Sequence, residues 1–182
     1  QEELEMLARK KVKHLYLGIE SGLDDVLKFM KKDHDLAQAY QAIDRLHEAG
    51  LIYDAHIMTG VAGKGRGMEN AEALAQFLNR TNPAHVVNFS MFLHKEVPLY
   101  QDIRQGTFVP ADELETIREE YHLIERIAPE KAGANILYDG FHDFIHVRVR
   151  GHLPGDKEKM LAKLNGIIQE YEGKEPVYSF VQ

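Results

Sequence analysis

The stretch HLYLGIESGLDDVLKFMKK, residues 14–32, decides how the chain folds. Its first half is a short apolar run, which reads as a buried strand over 13–18. The run breaks at Gly18, and a carboxylate and a hydroxyl, Glu20 and Ser21, follow before Gly22. The second half has helical spacing and ends on lysines, as a helix does whose C-terminal dipole is complemented by positive charge. A strand, a polar turn and a helix make one βα unit, and functional residues of parallel βα folds collect at the C-terminal ends of the strands. Glu20 and Ser21 stand at such an end. A carboxylate there suits ribose hydroxyls or a ligand ammonium. Equally, Ser21 or Asp24 caps the helix and Glu20 complements its N-terminal dipole.

The unit recurs. A helix over 36–49 with Leu36, Ala39, Tyr40, Ile43 and Leu46 on one stripe stops at Gly50, and LIYDAHIMTG (51–60) reads as the second strand. A helix over 68–80 and HVVNFSMFL (85–93) make the third step. Strand starts near 13, 51 and 85 with helix between them imply a parallel sheet with right-handed crossovers. Three units are half of a (β/α) barrel or half of a doubly wound sheet. After residue 94 the rhythm changes. Helices are expected over 98–106, 110–127 and 154–173, strands over 134–138 and 143–149, and the last segment is an edge strand or mobile. The expected division is therefore a half-barrel over 1–94 and a helical and α+β extension over 95–182.

Composition narrows the function classes. The chain has 182 residues, 44% of them hydrophobic, and a net charge of -7, which disfavours a nucleic-acid partner. There are no cysteines, so no iron–sulfur cluster is held by thiolates of this chain. No apolar run approaches membrane-spanning length, and a cytoplasmic location is expected. The opening QEELEMLARKK begins in what reads as mid-helix without a Met, so a segment of a longer protein is expected.

Two further motifs invite chemistry. GVAGKGRG (60–67) is a glycine-rich strand-to-helix turn, but it is neither G-x-G-x-x-G nor a Walker A loop; it reads as a mobile loop more than as a phosphate cradle. His142 and His146 have the spacing of helical metal ligands, but they fall in an alternating strand pattern, where residues four apart are roughly 13 Å apart. No metal site is expected there, and Arg148 and Arg150 read as a solvated strand face. No G-x-S-x-G supports a serine hydrolase.

Taken together, LYLGIESGLDDVLKFMKKDHD, AIDRLHEAGLIYDAHIMTGVAGKGRGMENA, VNFSMFLHKEVPLYQDIRQGTFVP and ELETIREEYHLIERI resemble the second half of a radical S-adenosylmethionine (radical SAM) enzyme. The resemblance is to iron–sulfur oxidoreductases related to oxygen-independent coproporphyrinogen oxidase and to Elp3-type proteins. It covers residues 5–128 well and 134–165, including GHLPGDKEKML, less closely.

The resemblance implies a partial (β/α) TIM-type barrel, of which this chain supplies the last three βα units, with a C-terminal α+β extension. It implies S-adenosylmethionine and a [4Fe–4S] cluster as cofactors of the parent protein, hydrogen abstraction from an unknown substrate, and no catalysis by this chain alone. Glu20 would contact the ribose or methionyl part of the cofactor, with Ser21 beside it, and Lys32 would pair with its carboxylate. His56 falls near the ribose. Met58 and Gly60 would shape the adenine wall, and Ser90, Met91 and Phe92 would close it. The strand-five pattern G-x-I-x-G-x-x-E keeps only Gly60, because His56, Met58 and Gly63 replace its other positions. The cysteine triad and the Gly-Gly-Glu segment are absent from these residues. A stand-alone half-barrel that binds a nucleotide or a protein, dimerising through the exposed edge of strand 13–18, is the second expectation. A doubly wound domain binding a mononucleotide at 60–67 is the third.

Overall fold

The computed structural model describes residues 1–181. Helix α1 (Glu2–Arg9) leads into strand β1 (His14–Glu20). Helix α2 (Asp24–Phe29) is shorter than its sequence pattern. The backbone becomes left-handed at Lys31 (φ 56°), so Lys32 stands beyond the helix instead of in its last turn. Helix α3 (Leu36–Glu48) opens on a capping box: Asp35 accepts from the Gln38 N–H, and the Asp35 N–H donates back to the Gln38 side chain. Strand β2 (Ile52–Thr59), helix α4 (Gly67–Thr81) and strand β3 (His85–Ser90) follow. The third strand stops at Ser90, and Leu93–His94 forms a separate strand, β4.

Beyond it lie helix α5 (Pro98–Gln105), which stops at left-handed Gly106, and helix α6 (Glu113–Arg126). Helix α6 starts at Glu113, not near 110, because the Asp112 side chain caps the Glu115 N–H. Strands β5 (Ile136–His142) and β6 (Val147–Leu153) form an antiparallel hairpin. The expected strand over 143–149 is thus displaced by several residues. Its apolar start, Phe144 and Ile145, belongs to the hairpin turn, where Ile145 is buried against the core and His146 is left-handed (φ 52°). Helix α7 (Lys157–Tyr171) precedes β7 (Phe180–Val181), which pairs parallel with β4.

The main sheet has the order β1-β2-β3-β5-β6, parallel throughout except for β6. It continues past residue 94, since β5 lies directly beside β3. Alternation sorts its two faces. Tyr53, Ala55, Ile57, Val86, Ile136, Tyr138, Val149 and Leu153 point to one side and form the core with Ile43, Leu74, Phe77, Leu78, Ile117 and Ile124 from α3, α4 and α6. The other side carries Tyr16, His56, Met58, Phe89, Phe141, Arg148 and Arg150, half-buried or exposed. A doubly wound sheet is covered on both faces. This one is covered on one face, as a section of a (β/α) barrel is. A smaller cluster of Val26, Val61, Met91, Leu93 and Phe108 packs the loops at the C-terminal strand ends.

Candidate functional site

At the end of β1, Glu20 adopts a left-handed backbone (φ 63°), a conformation uncommon outside glycine. Its Oε1 accepts a hydrogen bond from Lys32 Nζ at 3.2 Å. Gly18 permits this, because a Cβ there would lie 2.8 Å from Glu20 Oε1. The two side chains remain 25% and 30% exposed. A pair so open contributes at most about 1 kcal/mol, so it is not needed to hold the fold, and both groups can exchange one another for a ligand. The register sets Gly18 beside His56, so the pair opens onto the uncovered face next to His56 and Met58.

Ser21 and Ser90 turn the other way. Ser21 is wholly buried; its hydroxyl donates to Asn70 Oδ1 at 2.6 Å and accepts from the Leu23 N–H at 3.1 Å. Ser90 Oγ donates to Glu113 at 3.2 Å in the helix layer. Gly60, left-handed at φ 82°, donates its N–H to Glu119 Oε2 at 2.8 Å, and a Cβ there would lie 2.7 Å from Thr116 Cγ2. The sequence-predicted residues therefore divide. Glu20 and Lys32 pair with one another beside Gly18, His56 and Met58 lie on the open face, Gly60 shapes the β2 turn, and Ser21 and Ser90 brace the layer beneath. The loop after Ser21 is equally tight. A Cβ on Gly22 would stand 2.4 Å from the Leu74 backbone nitrogen, so Gly22→Ala is expected to cost about 1–3 kcal/mol, read as a lower urea midpoint with unchanged slope.

That layer is a buried polar network centred on α6. Asn70 Nδ2 donates to Glu119 Oε1 at 2.7 Å. Glu120 accepts from Asn88 (3.1 Å) and Tyr138 (2.9 Å) and meets His142 Nε2 at 3.0 Å. His142 Nδ1 meets Glu113 at 3.2 Å, and Ser179 donates to Glu113 as well. Asn88 Oδ1 also accepts the Thr59 N–H. The C-terminal ends of β1, β2, β3 and β5 are thus tied to one helix. Burial raises Glu119, against the hydrogen bonds from Asn70 and Gly60, to about 7. Burial also opposes charge on His142, but Glu120 and Glu113 outweigh it and lift the imidazole to about 9. The sequence reading gave α6 only as a helix over 110–127 and so missed this network. The signal was present: Glu113, Thr116, Ile117, Glu120 and Ile124 recur at helical spacing, which puts two carboxylates on the buried side.

The turn at 60–67 is neither loose nor a cradle. Gly63 N–H donates to Gly60 O, Lys64 N–H to Val109 O, Arg66 N–H to Gly63 O, and Gly65 N–H to the Glu115 carboxylate. Arg66 binds Asp25 at 2.7 Å and Glu69 at 2.8 Å. Five backbone donors of this turn, those of Gly60, Gly63, Lys64, Gly65 and Arg66, thus already have partners. His142 and His146 likewise do not converge, since one is buried between two glutamates and the other sits exposed in the turn.

Across the open face the register gives two rows. One runs Gly18, His56, Val87, Asp139, Arg150; the other, nearer the C-terminal ends, runs Met58, Phe89, Phe141, Arg148. Aromatic contacts follow them: Tyr16–His56 at 5.1 Å, His56–Phe89 at 6.1 Å and Phe89–Phe141 at 5.4 Å. Among the described residues no helix is long and apolar enough to cross a membrane.

Residues 1–78 match the family model of the radical SAM superfamily. A curated relative, the tRNA uridine(34) acetyltransferase of Methanocaldococcus infernus, is 25% identical over 118 residues, 64% of this chain and 22% of its own length. A solved structure of Methanocaldococcus infernus Elp3, lacking its N-terminal residues 1–46, superposes with a TM-score of 0.67 at 18% identity over 94% of this chain and 39% of that one. The chain thus spans about a fifth of the curated relative and two-fifths of the solved chain. Of the two sub-branches expected from the sequence, these matches meet the Elp3 side; the curated relative is an acetyltransferase, and nothing here supports the coproporphyrinogen oxidase label. Residues 1–78 thus match the radical SAM superfamily model, and the chain is similar to an Elp3-type protein in fold and, over part of its length, to the curated relative in sequence.

Proposed function

We propose that this chain forms the cofactor-facing part of a radical SAM enzyme that abstracts hydrogen from its substrate. The observation that carries the reading is the Glu20–Lys32 pair, exposed at the C-terminal end of β1 and opening onto the uncovered face. Its donor set suits S-adenosylmethionine: a carboxylate for ribose hydroxyls and an ammonium for the methionine carboxylate. Glu20 and Lys32 would hold that cofactor, whose chemistry at a reduced [4Fe–4S] cluster would be to generate the hydrogen-abstracting radical. The chain contains no cysteine, so its own residues do not fit the cluster, whose thiolate ligands would have to be supplied from elsewhere. What these residues do is bind and orient. Glu20 and Lys32 hold the polar end of the cofactor, Met58 and the Gly60 turn bound it, and the α6 network fixes the strand ends. The match to Elp3 covers only part of that protein, so acetyl transfer to tRNA is not carried over.

The test is product formation. The protein containing this chain, reconstituted anaerobically with iron, sulfide, S-adenosylmethionine and dithionite, is expected to yield 5′-deoxyadenosine. Lys32→Glu is expected to lower that yield at least about tenfold, a loss of roughly 1.4 kcal/mol. Wild-type protein that yields none contradicts the reading.

One observation favours a second reading, a partner-binding half-barrel. Strand β1 is paired on one side only, and an open edge is a template for another strand. Sedimentation equilibrium is expected to show self-association under that reading, and a monomer throughout the micromolar range removes the dimer.

A further inference from the structure

The open face is chemically uneven. At its β1 end are Glu20 and Lys32; at its β5–β6 end, two phenylalanines and two arginines. Phe89 and Phe141 lie nearly parallel, 17° apart with centroids at 5.4 Å, and Phe89 is 36% exposed. The Arg148 guanidinium sits 4.7 Å over the Phe141 ring. It is held there by Asp139, which accepts from Nε at 2.8 Å and from Nη2 at 2.7 Å. Asp139 is itself only 5% exposed, and Arg150 Nε lies 3.7 Å from the same carboxylate.

One buried carboxylate therefore fixes the Arg148 guanidinium, with Arg150 close by, and neutralises one of the two positive charges. The surplus positive charge is set beside an uncovered aromatic ledge in a chain of net charge -7. A cleft of about 430 Å³ bordered by Arg148, Arg150, Lys159 and Lys163 adds two more cations behind it. Lys163 also caps the Arg148 carbonyl at 2.6 Å, which keeps this strand edge from pairing with another strand. A solvated strand face has no need of two stacked phenylalanines, and an apolar contact surface has no need of a buried aspartate to aim arginines at it. Ring faces recognise flat π-systems, and guanidiniums recognise carboxylates or phosphates.

We propose that Phe89, Phe141, Arg148 and Arg150 form a substrate subsite that takes a planar ring bearing an anionic group. Its assignment to the substrate rests on the radical SAM reading; its ring-and-anion chemistry does not. The ring lies on the Phe89–Phe141 ledge, and the anion reaches the guanidinium of Arg150 and the outward nitrogen of Arg148.

The test uses 1-naphthoate, 1-naphthyl phosphate and neutral 1-naphthalenemethanol, titrated into the chain and followed by probe fluorescence, which no tryptophan obscures. The two anions are expected to saturate, the neutral probe to bind at least tenfold more weakly, and Phe89→Ala and Arg150→Gln each to weaken the anions about tenfold. The stronger of the two anions distinguishes a carboxylate from a phosphate substrate. S-Adenosylhomocysteine is expected to bind without displacing them. Equal binding of the neutral probe reduces the site to an apolar patch and overturns the proposal, as does the absence of saturation. Competitive displacement by S-adenosylhomocysteine makes the ledge part of the nucleoside site and overturns it too. Naphthoate binding with no affinity for S-adenosylhomocysteine keeps the subsite and removes the radical SAM reading.

Discussion

His142→Ala is expected to cost about 3–5 kcal/mol, the range for breaking a buried ion pair from one side. For a domain of this size that lowers the melting temperature by roughly 10 °C or more. The imidazole is wholly enclosed between Glu120, at 3.0 Å, and Glu113, at 3.2 Å. Removing it leaves two buried carboxylates facing a void. The loss of their shared partner loosens the ends of β3 and β5, because Asn88 and Tyr138 bind the same Glu120 oxygen. Differential scanning calorimetry of the variant measures the loss directly. A loss under about 1 kcal/mol, far below the usual magnitude for such a pair, contradicts the account of the network.

The second large effect is on pH dependence, and its direction is unusual. Both perturbed groups in the network have folded values above their ordinary ones: Glu119 rises from 4.5 to about 7, through burial, and His142 from 6.5 to about 9, through its two glutamates acting against burial. A raised folded value means that the native state binds the proton more tightly than the unfolded chain does. The stability gained is complete below the unfolded value and is lost as pH rises through the folded one. Glu119 therefore withdraws its contribution between about pH 4.5 and 7, and His142 between about pH 6.5 and 9, each on the order of 3 kcal/mol. Urea unfolding from pH 5 to 9 is expected to show falling stability. Glu119→Gln flattens the lower half of that decline and His142→Ala the upper half. Stability that holds level or climbs across this range refutes both assignments.

Much of the fold was legible because the apolar runs at 51–60 and 85–93 mark β2 and β3, and the helices before them stop at recognisable signals, Gly50 and Asn82-Pro83. The β5–β6 hairpin was misplaced because Phe144 and Ile145 look like strand residues, yet Ile145 reaches the core from a turn. Continuity of the sheet from β3 to β5 could not be read at all, since only long-range pairing decides it. At the site, Glu20 was legible from its place at a strand end and Lys32 from the resemblance, and the structure adds that they touch. Ser21 and Ser90 looked equally eligible, because a strand-end serine carries no mark of which way it points. The carboxylates of α6 were hidden by their charge, which in an isolated helix argues for the solvent side. Partners such as Asn70, Gly60, Asn88, Tyr138 and His142, brought in from four other segments, make their burial tolerable.

The central claim is that Glu20 and Lys32 hold the polar end of S-adenosylmethionine. The most direct test is isothermal titration of S-adenosylhomocysteine into the chain, with Glu20→Gln and Lys32→Glu alongside; both residues are partly exposed and their loss leaves the buried layer intact. The account predicts saturable binding with a Kd below about 1 mM, weakened at least tenfold by Lys32→Glu and measurably by Glu20→Gln. Wild-type chain that shows no saturable binding, or variants that bind as tightly as the wild type, would contradict it.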